Sequence, residues 1–133
     1  MGYREVTREP ETGNQTSADY RDEVGVALAR ILGEGIETHR CLAARALGRI
    51  RHPGSVEALI GALLDEDEDV RTDAAAALAL IADTRASAQL MENLLGDPCP
   101  EVKLGAIEAL VRLRHPEIAP LLRRLARGRD DAI

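Results

Sequence analysis

The chain has 133 residues and a formal net charge of −6, with no Phe or Trp, two Tyr, two Cys and three His. That length suits one domain, and its core must come from Ala, Val, Leu and Ile, which leaves little aromatic lining for a cofactor pocket. Two Cys make no disulfide framework, no apolar run is long enough for a membrane span, and the N-terminus lacks the basic-then-apolar order of a signal peptide; the expectation is a reduced, cytoplasmic protein.

Residues 1–18, MGYREVTREPETGNQTSA, are polar, are broken by Pro10 and Gly13, and carry no helical stripe. They are expected to form a flexible arm ahead of a single domain over 19–133. From Asp19 a helix is expected, with Val24, Leu28 and Leu32 along one side. The interval from Leu32 to His39 equals that from Leu63 to Val70, so this helix, within a cap over 19–35, is the second half of an incomplete repeat.

Three helical pairs follow, over 38–65, 70–97 and 101–128. Ala77-Leu78 of the middle unit falls on Ala46-Leu47 when shifted back by 31 residues and on Ala109-Leu110 when shifted forward by 32. The extra residue lies in the turn at Leu95-Gly96-Asp97. Each first helix shows apolar residues at spacings of three and four: Val70, Ala74, Leu78 and Ile81 in the middle unit, Val102, Ala106, Leu110 and Leu113 in the last. Second helices carry Leu59 and Leu63, Leu90 and Leu94, Ile118 and Leu122. Helices this short gain their stability by stacking, which is the mark of a solenoid. Thr38 and Asp69 are the expected N-caps of their helices.

The charge is uneven: residues 51–100 carry three bases against ten acids, and residues 101–133 seven against five. No aromatic residues interleave the basic end, which argues against nucleic acid and favours another protein as partner. Asp65, Asp67 and Asp69 alternate like a calcium loop, but Val70 and Ala76 stand where such a loop needs Gly and Glu. His52 and His115 occupy one slot two repeats apart, too distant to share a metal, so no metal or cofactor is expected. Cys41 and Cys99 have no local activating base, and Cys99, between Pro98 and Pro100, is the more exposed candidate. An acid six residues before a base recurs at each junction, as Glu34 and Arg40, Asp65 and Arg71, Asp97 and Lys103.

These units resemble the HEAT-like repeats of the phycobilisome bilin-lyase family. Val70-Arg71, Ala74-Ala75, Ala77-Leu78, Ile81 and Asp83 match its pattern, as do Ala43-Ala44, Ala46-Leu47-Gly48 and Ile50, then Val102-Lys103, Leu110, Pro116 and Pro120. His39, His52, Lys103 and His115 depart from it. The resemblance implies that the acid and base pairs at the junctions form a structural ladder joining each inter-repeat turn to the helix stacked beside it. The resemblance implies an all-α, short right-handed α-solenoid of about seven helices, with first helices convex and second helices concave. Partner-binding residues would then be Arg30, Glu92 and Arg124 on the concave face, flanked by Glu57, Gln89 and Asn93. The expected function is a non-enzymatic scaffold holding a segment of another protein, with no catalytic residues. The alternative that the resemblance allows is a bilin-lyase-like component or a chaperone of chromophore attachment.

Overall fold

A computed structural model describes residues 16–128; the greater part of the expected arm, and Arg129 of the basic end, lie outside the described residues. Seven α-helices occur among them and no strand. Helix α1 (Ser17–Glu34) begins two residues earlier than Asp19 because Thr16 caps it. The Thr16 hydroxyl accepts from the Asp19 N–H at 3.0 Å, and the Asp19 carboxylate accepts from the Thr16 N–H at 3.4 Å, which satisfies two amides reciprocally.

Three hairpins follow: α2 (Glu37–Ile50) with α3 (Val56–Ala62), α4 (Glu68–Ile81) with α5 (Ser87–Gly96), and α6 (Pro100–Arg112) with α7 (Ile118–Ala126). The repeat is written in the backbone as well as in the side chains. A left-handed residue follows each first helix, Arg51 at φ 53° and Ala82 at φ 57° as the C-caps of α2 and α4 and Arg114 at φ 55° one residue beyond the C-cap of α6. The N–H groups of Arg51 and Ala82 bond back to the Leu47 and Leu78 carbonyls, a left-handed stop that turns the chain toward its second helix.

Two expected caps are corrected. Asp67, not Asp69, caps α4: its side chain accepts from the Asp69 N–H at 2.8 Å and the Val70 N–H at 3.4 Å. Helix α2 starts after Ile36, with no side-chain cap, and Thr38 lies inside its first turn.

Equivalent residues have equivalent surroundings, as a linear stack requires. Leu47, Leu78 and Leu110 are all fully buried, as are Leu59, Leu63, Leu90 and Leu94 of the second helices. Small residues bring the first helices together. A Cβ on Gly48 would lie 2.7 Å from the Ala77 Cα, and one on Gly105 would lie 2.9 Å from the Ala75 Cβ. Helix α4 thus packs directly on both α2 and α6, whereas α3, α5 and α7 meet one another only sparingly.

Candidate interaction surface

The junction ladder exists, but with partners different from those the spacing suggested. Arg40 donates through Nε and Nη2 to both oxygens of Asp65, each at 2.9 Å, and through Nη1 to the Gly35 carbonyl at 2.9 Å. Arg71 repeats this one unit later, with both Asp97 oxygens at 2.9 and 3.1 Å and the Asp65 carbonyl at 2.8 Å. Each arginine therefore ties the junction before its helix to the acid that closes its own hairpin, and these bidentate geometries fix register. The acid six residues upstream contributes its main chain at Asp65, and Glu34 instead meets Arg30 on the helix surface at 3.3 Å. Burial pushes the Asp65 and Asp97 carboxyls up, but the arginine and N–H donors override it and hold both below the usual carboxylate range.

Asn93 belongs to the same framework. It is buried, its amide donates to the Leu63 carbonyl and to Asp97, each at 3.0 Å, and its oxygen accepts from Gln89 at 3.1 Å. Around it a hollow of about 410 Å³ opens between α3 and α5, lined by Leu64, Gln89, Glu92 and Gly96 over a floor of Arg71, Asn93 and Asp97. Glu92 is exposed and Gln89 half-buried on its rim. The other expected partner residues are dispersed along the same layer. Arg30 lines a separate hollow on α1, Glu57 lies 3.7 Å from Arg85 on α3, and Arg124 is exposed on α7. The structure brings Gln89, Glu92 and Asn93 into one place and leaves Arg30, Glu57 and Arg124 apart from them.

No local pattern signals the link between the cap and the first hairpin. His52 is buried beneath α1, with Nε2 at 2.8 Å from Asp22 and Nδ1 on the Ser55 hydroxyl, which lies 3.5 Å from the Gly25 carbonyl. Gly25 permits the contact, since a Cβ there would overlap the imidazole. Asp22, His52 and Ser55 are the residue types of a hydrolytic triad, yet Ser55 has no accessible surface through which a substrate carbonyl could approach its oxygen. The other two residues in this slot cap their own turns: Asp83 accepts from the Arg85 N–H at 2.9 Å and His115 from the Glu117 N–H at 3.2 Å.

The cysteine expectation is corrected too. Cys99 is buried, its N–H bonded to Asp97 at 3.0 Å and its thiol facing Glu101 at 3.4 Å, because the turn folds inward behind the ladder. Cys41 is half-buried, and burial, reinforced by the Asp73 carboxylate, pushes its thiol up to about 11. Asp73 has one oxygen 3.1 Å from the Arg45 Nε, an ion pair by distance but too poorly aligned to be a hydrogen bond. No group of three His, Cys, Asp or Glu is placed to hold a metal among the described residues, and no helix there is long and apolar enough to cross a membrane.

The profile of HEAT repeats matches residues 26–97, which takes in the second part of α1, the first two hairpins and the ladder that joins them. The chain belongs to the HEAT-repeat family. Among curated proteins, this chain is 42% identical over 85 residues to the bilin biosynthesis protein PecE of Mastigocladus laminosus, covering 60% of this chain and 31% of that protein. The PecE of a Nostoc species is likewise 42% identical over 85 residues, with 33% of its length covered. The chain thus spans about a third of these relatives.

Proposed function

We propose that this HEAT-repeat chain is a non-enzymatic scaffold whose second-helix layer holds a segment of another protein. The observation that supports this most is the hollow between α3 and α5. Its floor is pinned by Arg71, Asn93 and Asp97, while Leu64 and Glu92 are exposed at its edge beside Gln89, which donates to Asn93. A fixed floor lowers the ordering cost of binding, and a rim of mixed character suits an extended segment or an amphipathic helix. Arg30, Glu57 and Arg124 would extend the contact along neighbouring helices, with Asn93 shaping the floor. The test is affinity capture from native cells, comparing the wild type with Glu92→Arg plus Arg124→Glu. A partner held by the wild type is expected to be lost from the variant, and equal recovery would refute this surface.

A second reading rests on the likeness to two bilin biosynthesis proteins. In it the captured partner is an acceptor phycobiliprotein subunit, and the chain acts as a bilin-lyase-like component or chaperone of chromophore attachment. Incubation with bilin and acceptor subunit, followed by absorbance of the purified subunit, tests this. Accelerated adduct formation supports it, and a rate equal to that without the chain removes it.

A further inference from the structure

The hollow between α3 and α5 is electronegative, and its charges can be followed one by one. Arg71 is the one base that lines it among the described residues. Its guanidinium is fully engaged in the floor, with Nε and Nη2 on the two Asp97 oxygens and Nη1 on the Asp65 and Glu66 carbonyls. Asp65 is matched in turn by Arg40. Glu92 is left over: it is exposed on the rim and forms no ion pair among the described residues.

The main chain points the same way. The C-terminal end of α3, at Leu63 and Leu64, and that of α5, at Asn93 and Gly96, both open into the hollow. The carbonyls that end a helix carry partial negative charge, which a Lys or Arg in the last turn offsets. Neither α3 nor α5 contains a Lys or Arg. The surroundings add to the imbalance, since residues 51–100 carry three bases against ten acids, and of those bases Arg71 and Arg85 are already held by Asp97 and Asp83. Beside this negative region stand apolar surfaces: Leu64 is 67% exposed, and Pro98, also on the lining, is exposed. A long basic side chain has a part suited to each, an apolar stem and a charged head.

We propose that the segment this hollow takes is basic, with a Lys or Arg of the partner setting its cation beside Glu92 and the carbonyls that end α5, and laying its stem on Leu64 and Pro98. This rests on the partner-binding reading of the second-helix layer and adds to it the sign of the partner's charge. Complementarity of this kind acts on partner choice and association rate more than on affinity. An acidic segment meets Glu92 and the α5 carbonyls with like charge and is rejected.

Nuclear magnetic resonance titration of the full chain at low ionic strength tests this with two synthetic peptides of equal length, one alternating Leu with Arg and the other Leu with Glu. The Leu-Arg peptide is expected to shift the amides of Leu64, Glu92 and Gly96, and the Leu-Glu peptide to leave them in place. Glu92→Gln, a change at an exposed position that keeps the shape of the rim, is expected to weaken the Leu-Arg peptide by about two- to fivefold. If both peptides shift these amides equally, or if Glu92→Gln binds the Leu-Arg peptide as tightly as the wild type, the charge assignment is overturned while the scaffold reading stands. Shifts confined to amides outside the hollow, or none with either peptide, also overturn it, and the capture experiment with Glu92→Arg plus Arg124→Glu then decides the scaffold reading separately.

Discussion

The close approach of α2 and α4 makes one substitution act with opposite signs at two glycines. In an exposed helix, Gly→Ala stabilises by about 0.5–1 kcal/mol because it removes backbone freedom from the unfolded chain. Gly61 of α3 has nothing within 4 Å of where its Cβ would stand, so the gain should appear there in full. At Gly48 the same Cβ would lie 2.7 Å from the Ala77 Cα and 2.8 Å from its Cβ, well inside the ~3.5–4.0 Å at which carbon atoms attract. The obstacle is main chain, which no rotamer change removes. The helices must separate, at an overpacking cost of about 1–3 kcal/mol, which outweighs the propensity gain and leaves a net loss of about 1 kcal/mol. Urea unfolding should show the midpoint falling for Gly48→Ala and rising for Gly61→Ala, with the slope unchanged in both. If Gly48→Ala were as stabilising as Gly61→Ala, the small-residue account of how the first helices stack would be refuted.

Two further outcomes follow from the stack and its ladder. Leu78→Ala, in the unit flanked on both sides, should cost about 2–5 kcal/mol, and Leu28→Ala, in the half-buried cap, clearly less; equal losses in the two melts would argue for a shared globular core. The ladder acids Asp65 and Asp97 have folded pKa values below their unfolded ones. Their contribution is therefore complete above the unfolded carboxylate value of about 4 and is lost as pH falls through the lower folded values. Asp97→Asn leaves the half-buried Arg71 without its counter-charge and should cost about 3 kcal/mol near neutrality, with a shallower loss of stability on acidification below about pH 4. An acid-unfolding curve parallel to that of the wild type would contradict this.

Much of the fold can be read directly from the residues. Val70, Ala74 and Leu78 recur at helical spacing, repeat with their neighbours at a fixed period, and are buried together. What the spacing could not supply was anything depending on contacts across the stack. The acid nearest each ladder base in sequence suggested a pairing six residues apart, but an arginine at the start of a helix reaches backward to a carbonyl and across its hairpin to a carboxylate 25 or 26 residues on. The Asp22 contact to His52 joins residues 30 apart on different elements, and no local pattern encodes it. Asp67 displaced Asp69 as the cap because α4 begins earlier than its apolar stripe. Of the surface positions, those on adjacent turns of α5 fell together. Those drawn from separate helices did not, since a common register along a stack sets direction but not proximity.

The left-handed residues at Arg51, Ala82 and Arg114 repeat the same corner in the main chain at the period of the sequence, and the faces they place together are small against small at both internal contacts. A whole unit lost between corresponding corners would set Ala44 and Gly48 against Gly105 and Ala109, a junction of the same kind as those already present. Gene-level gain or loss of one period can therefore change the length of such a protein without demanding a newly shaped seam, and variation in copy number is the cheapest evolutionary path open to it.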